Sequence, residues 1–162
     1  MAAHGRSRQT RASADSIWRL WSDTQSWQEW NPNVKRMDMN GPFANGTTGV
    51  MHTPAGQAHQ IRLLNIRPGQ SFDLETQAIP LTQFTFHCEV LPTAAGSTIS
   101  QTLTMAGPLA FVFSPLAGER IADSFALLLK GLSDKAEAAS DPGVPVSEAG
   151  PPMVEEGAPD EG

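Results

Sequence analysis

The chain has no tyrosine and a single cysteine among its 162 residues. The first absence removes a phenolic acid from any catalytic set. The second excludes an internal disulfide. Cys88 alternates with Phe84, Phe86 and Val90, a pattern that makes it a small buried hydrophobe whose thiol an apolar setting keeps protonated. No apolar run approaches the ~20 residues needed to span a bilayer. Three arginines near the N-terminus, Arg6, Arg8 and Arg11, are not followed by an apolar segment, so no secretory signal is read there. The expectation is a soluble, cytoplasmic protein with no membrane partner. There is no Gly-x-Ser-x-Gly elbow and no dinucleotide or P-loop glycine pattern. His52, His59 and His87 fall on separate predicted strands without zinc-type spacing. Neither a metal nor a cofactor is expected.

Charge of either sign is also scarce in the body of the chain. The net charge is -6, but Asp141, Glu148, Glu155, Glu156, Asp160 and Glu161 all lie within 139–162, which has no Lys or Arg. Taking those 6 from the 17 acids leaves 11, against 11 basic residues in 1–138. A formally neutral body lacks the basic face that phosphate binding requires, so nucleic acid is not an expected partner. Residues 139–162 combine Pro, Gly, Ala, Ser and acids with almost no large apolar groups. They cannot bury enough surface to offset ordering, and a disordered acidic tail is predicted there. Residues 1–138 suffice for one domain with a core.

What is present is a helix signal, a helical turn, a series of strands and a last helix. Ser13 caps a helix over 13–24, with Ile17, Leu20 and Trp21 at helical spacing. In Ser26-Trp27-Gln28-Glu29-Trp30-Asn31-Pro32, Ser26 and Glu29 form a capping-box pattern. Pro32 stops the turn and pushes Asn31 to an extended conformation. The pair Trp27 and Trp30 is read as either a core plug or the rim of a pocket. Strands are predicted at Val34–Met39, Thr47–Thr53, Gln57–Ile66, Ser71–Ala78, Leu81–Leu91 and Ser97–Met105, each bounded by Gly/Pro turns, as in an antiparallel meander. Alternation gives each strand an apolar and a polar side. Something must cover the apolar one, and the candidate is a helix from about Pro115 to Ala138. Its stripe is Ile121, Phe125, Leu128, Leu129 and Leu132, with Ser114 and Pro115 at its start. Gly131 costs such a helix about 1 kcal/mol against Ala, which suggests a close-packing role.

Candidate polar groups are those in phase with apolar neighbours. Gln101 lies between Ile99 and Leu103. Facing inward, its amide needs a partner: a strand neighbour, a buried water, or a ligand carbonyl or hydroxyl. His59 is in phase with Ile61 and Leu63. It is either a general base with a pKa near neutrality or a strand-end residue half in solvent. His87 is expected on the exposed side. Met37, Met39, Met51 and Met105 suit either core filling or an adaptable cavity wall.

The order of these elements resembles the START-like SRPBCC superfamily, in particular its polyketide cyclase/dehydrase-like branch. The matching words are Ala12-Ser13-Ala14-Asp15-Ser16-Ile17-Trp18, Ser22-Asp23, Trp27-Gln28-Glu29-Trp30-Asn31-Pro32 and Gly46-Thr47. Asn65-Ile66-Arg67-Pro68-Gly69 and Gly96-Ser97-Thr98-Ile99-Ser100 extend the match, which covers roughly residues 10–138. The resemblance implies an α+β helix-grip fold, with a curved antiparallel sheet wrapped around the long C-terminal helix and an apolar cavity between them. It also implies a first strand before the first helix. Residues 3–11 lack the alternation of such a strand, so it is expected to be short, weakly paired or exposed, or covered by a second subunit in a homodimer. The implied partner is a small hydrophobic ligand, held by a binding or carrier protein. The alternatives are a cyclase or dehydratase using His59 or Gln101, and a protein-interaction module. The expected wall is Trp30, Met51, Phe72, Leu74, Phe84, Phe86, Gln101, Leu103, Phe125 and Leu129. Trp27 is expected to pack on the first helix.

Overall fold

The computed structural model describes residues 2–113 and 117–140. Strand β1 (Ala2–Thr10) leads into helix α1 (Ala14–Ser22), a 3-10 turn (Thr24–Ser26) and the single turn α2 (Trp27–Trp30). Six strands follow: β2 (Arg36–Met39), β3 (Thr48–His52), β4 (Ala58–Arg67), β5 (Ser71–Ile79), β6 (Thr82–Thr93) and β7 (Gly96–Ala106). The short α3 (Ala110–Phe113) and the long α4 (Glu119–Ser140) complete the described chain. The seven strands form one antiparallel sheet in the order β1-β7-β6-β5-β4-β3-β2. The six predicted strands and the last helix are all present. Ser114 and Pro115 lie outside the described residues, and so does the predicted tail from residue 141 onward; its first two residues finish α4.

Alternation buries one face. Ile61 and Leu63 of β4, Phe72 and Leu74 of β5, Phe84, Cys88 and Val90 of β6, and Ile99, Leu103 and Met105 of β7 are all buried. Register shifts between Leu64 and Arg67 and between Thr76 and Ile79 mark irregularities in β4–β5 and β5–β6. Such bulges bend a sheet, and here the concave side holds α4. Phe125, Leu128, Leu129 and Leu132 of α4 are buried, and Ile121 is half-buried.

The first strand corrects part of the expectation from sequence: it is exposed, an edge strand with Gly5, Ser7, Arg8 and Gln9 in solvent. β1 is neither short nor weakly paired: it runs in register with β7 from Ala2 opposite Met105 to Thr10 opposite Ser97. Its inward positions are polar because they face acids on α4. The His4 ring bonds the Glu119 carboxylate at 2.6 Å, and the Arg6 guanidinium donates to Asp123 at 2.6 Å and Glu119 at 3.2 Å. At the far end of α4, Glu137 accepts from the backbone N–H of Arg11 (2.8 Å) and the hydroxyl of Thr10 (2.9 Å). Ser133 donates to Thr10 at 2.8 Å. A strand that lies against charged helix positions does not need apolar alternation.

The capping box is also replaced. Ser13 does cap α1, accepting from the Ser16 N–H at 3.1 Å. Ser26, however, ends the 3-10 turn in a helical conformation (φ -83°, ψ -13°) and makes no side-chain cap. An N-cap requires an extended backbone. The Ser26 hydroxyl instead donates to the carbonyls of Asp23 (2.7 Å) and Leu20 (3.2 Å). Glu29 pairs with Lys135 of α4 at 2.7 Å. Asn31 is extended (φ -105°, ψ 109°), as the following proline demands.

Gly131 has the close-packing role its position suggested. A Cβ there would lie 2.2 Å from the Trp30 carbonyl oxygen. Gly131→Ala should therefore destabilise the protein by about 1–3 kcal/mol through overpacking, despite a helix-propensity gain of about 1 kcal/mol. Urea unfolding checks this, and a rise in stability would show that α2 yields freely. A second expectation concerns acid. The bond from the Arg11 N–H, then those from the Thr10 hydroxyl and the Arg11 side chain, hold the Glu137 carboxyl below its ordinary value. A depressed folded pKa contributes stability above the unfolded value of about 4.3. That contribution is lost as pH falls through the folded value. The advantage of wild type over Glu137→Gln should be full at pH 7 and shrink toward pH 3, as read from urea midpoints at the two pH values.

Candidate functional site

Between the concave face and the first half of α4 lies a cavity of about 370 Å³. The sheet supplies Met51, His59, Phe72, Leu74, Thr76, Phe84, Phe86, Cys88 and Gln101; α4 supplies Arg120, Ile121, Ser124, Phe125 and Leu128; Trp27, Asn31, Asn33 and Thr53 come from α2 and the loops. The lining is mostly apolar or aromatic, as is usual for small-molecule sites. A wider hollow of about 530 Å³ involves the outward positions Gln60, Arg62, Glu75 and Gln77. Its polar lining, with Arg62 bound to Glu75 at 3.0 Å, offers little apolar surface to remove from water.

Of the residues expected to form a wall, Met51, Phe72, Leu74, Phe84, Phe86, Gln101 and Phe125 line the cavity, and His59 stands on its edge. Three do not. Leu103 and Leu129 are fully buried in the core. Trp30 lines a separate, more open hollow with Gln28, Glu29, Asn31, Pro32 and Leu127. Trp27 takes the place expected of Trp30. Its indole N–H donates to the Trp21 carbonyl at 2.9 Å, so it also packs on α1 as foreseen. Three residues apart on a helix is about 300° of rotation, and the docking of α2 against α4 decides which indole meets the cavity. Among the methionines, Met37 and Met105 are core and only Met51 reaches the cavity.

Phe72 joins the cavity to the core. Its ring centroid lies 5.4 Å from Trp21, 6.1 Å from Trp27, 6.2 Å from Trp18 and 5.2 Å from Phe43, mostly edge-to-face. Such pairs prefer these arrangements and resist displacement. That wall is therefore rigid.

Gln101 is a buried polar group on the cavity wall, as are Asn31 and Thr76. It is 8 % exposed. Its Oε1 accepts a weak bond from the Cys88 thiol at 3.6 Å, and its amide nitrogen has no acceptor among the described residues. Burial first, and the Asp73 charge second, push the Cys88 thiol well above its ordinary pKa. It stays protonated and is no nucleophile. At the mouth, Asn33 Nδ2 donates to Ser124 Oγ at 3.1 Å, tying the loop after α2 to α4. His59 forms no hydrogen bond with a described residue. His52 pairs with Asp38 at 2.9 Å, outside the cavity. His87 is half-buried rather than fully exposed, held at 2.5 Å by Asp73. Among the described residues no group of three or more His, Cys, Asp or Glu could hold a metal, and no helix is long and apolar enough to cross a membrane.

The alternation around Gln101 made it visible in the sequence. Arg120 and Ser124 were missed because the first turn of the last helix looked like an ordinary solvated face. Thr76 and Cys88 were legible as inward positions, but only the stand-off of α4 shows that they border a void.

The family described as polyketide cyclase / dehydrase and lipid transport matches residues 1–137. No curated protein matches the chain. Among solved structures, a protein from Thermobifida fusca is 22 % identical with a TM-score of 0.64, covering 86 % of this chain and 96 % of that one. The di-domain ARO/CYC StfQ from the steffimycin biosynthetic pathway is 19 % identical with a TM-score of 0.66, covering 86 % of this chain and 51 % of that one. A point mutant of norcoclaurine synthase from Thalictrum flavum, in complex with a transition state analogue, is 14 % identical with a TM-score of 0.63, covering 85 % of this chain and 95 % of that one. At these identities the likeness shows a common fold, the helix grip, and nothing finer.

Gln101→Leu should leave the ligand-free protein equally stable or more stable. An unpartnered buried amide costs about 1–3 kcal/mol, and leucine removes it at similar volume. A clear fall in the thermal midpoint would mean that the amide is satisfied within the protein.

Proposed function

The chain belongs to the polyketide cyclase / dehydrase and lipid transport family, and from that membership we propose that it binds a small hydrophobic molecule between the sheet and α4. One observation carries this reading: an apolar-walled cavity of about 370 Å³ with a buried amide, Gln101, that has no acceptor among the described residues. The size is near the low end of small-molecule sites, about 300–1,000 Å³. It fits a compact ring system or short chain better than a two-chain lipid.

Binding is favoured over chemistry by what lines the interior. The titratable groups on the wall are Cys88, Arg120 and His59. Cys88 is held protonated, and an arginine does not give up its proton. Gln101 can orient or polarise a carbonyl but cannot move a proton. The second reading, a cyclase or dehydratase, rests on His59, which shares the cavity with Gln101. There His59 would abstract a proton from a carbon next to the carbonyl that Gln101 polarises.

Two measurements test the first reading. Native mass spectrometry of the purified protein should reveal a co-purifying small molecule that is lost on denaturation. In solution, the neutral fluorophore N-phenyl-1-naphthylamine should bind wild type and bind Cys88→Trp at least about tenfold more weakly, because the indole occupies the space that the ligand needs. Equal binding to both, with Cys88→Trp folded by circular dichroism, would place the dye elsewhere and remove the support for a cavity binder. Conversion of a bound ligand by wild type but not by His59→Ala would favour the enzyme.

A further inference from the structure

Arg120 lies in the first turn of α4 and lines the mouth of the cavity. It makes no hydrogen bond or ion pair with any described residue. The two acids beside it are already engaged: Glu119 with His4 and Arg6, and Asp123 with Arg6. A cation in the first turn also stands at the wrong end of the helix dipole, which favours anions there. Among the described residues no partner accounts for a guanidinium at that position. Gln101 lies deep in the same cavity, 8 % exposed, and its amide N–H groups have no acceptor among the described residues. The rings of Phe84, Phe86 and Phe125 line the same cavity.

We propose that the ligand is an amphipathic carboxylate. Its flat apolar body fills the cavity. Its carboxylate meets Arg120 at the mouth, and a neutral carbonyl or hydroxyl oxygen at the far end accepts from Gln101. The proposal rests on the cavity-binding reading and adds the ligand's class and direction of entry. A charge-assisted bond at the mouth is stronger than a neutral one and leaves the anion partly in water. The deep end takes only an uncharged acceptor, because the buried amide can satisfy an oxygen but cannot neutralise a charge.

The test uses a matched pair of dyes on the full chain. 1-Anilinonaphthalene-8-sulfonate is N-phenyl-1-naphthylamine carrying one sulfonate, a fluorescent stand-in for the anionic end. Arg120→Gln should weaken the anionic dye by about tenfold and leave the neutral dye unchanged, with the same thermal midpoint as wild type. Salt should weaken the anionic dye alone. At the other end, 6-acetyl-2-naphthoic acid should displace the anionic dye more tightly than 2-naphthoic acid from wild type, and the advantage should vanish in Gln101→Leu. If Arg120→Gln affects both dyes alike or neither, the anion site is wrong while the cavity reading stands. If the acetyl group gives no advantage in wild type, or keeps it in Gln101→Leu, the deep acceptor is wrong. If wild type binds neither dye, or Cys88→Trp binds the neutral one unchanged, the cavity reading fails and takes this one with it.

Discussion

The approach of α4 to the rest of the molecule at Gly131 is the constraint on which the architecture depends. With no side chain at that point, the helix backbone comes against the Trp30 carbonyl. Just beyond it, Ser133 and Glu137 hold the Thr10–Arg11 corner by hydrogen bonds, and the small Ala136 is buried. The C-terminal half of the helix is thus drawn tightly onto α2 and β1. The N-terminal half is held differently, by the His4 hydrogen bond and the Arg6 ion pairs on the edge strand and by the Asn33–Ser124 tie on the opposite side. These tether the flanks of the helix without filling the space beneath it. The void follows from that asymmetry.

A void of this kind persists only where its walls cannot collapse. Phe72 is wedged among Trp18, Trp21, Trp27 and Phe43, and Phe86 meets Phe125 edge-on at 6.0 Å. Ring clusters resist the small shifts that would close the gap, since interiors deform little. The floor carries a buried amide, Gln101, with no acceptor among the described residues, and the mouth carries a guanidinium, Arg120, with no partner among them. The buried amide costs stability in the empty protein. Such local inconsistencies concentrate where a chain has been shaped for something other than its own folding.

Much of the fold was legible in the sequence. Gly/Pro turns marked six strands, period-two alternation assigned their faces, and the Phe125–Leu132 stripe named the helix that covers them. Three features were not legible. β1 has polar inward positions, because its partners are acids more than a hundred residues away on α4, and alternation rules assume an apolar neighbour. Ser26 has the right residue for a cap but the wrong backbone, since the preceding turn already places it in a helical conformation. Trp27 and Trp30 differ by less than a full helical turn, and only the docking of α2 shows which ring meets the cavity. The same holds for Leu103 and Leu129, which have the phase of wall residues but sit where α4 and the sheet are in full contact.

By itself the sequence determined the class of protein: a single sheet with one apolar face, a helix to cover it, no internal disulfide, and a polar glutamine out of character on the buried side. These are local properties, set by periodicity, turn chemistry and residue type. The tertiary structure decided whether the Trp27–Trp30 pair plugs a core or rims a pocket, and the answer is divided. Trp30 is spent on packing against α4, and Trp27 faces a space. That outcome depends on the distance between α4 and the sheet along its length, which contacts distant in sequence set and no local pattern encodes.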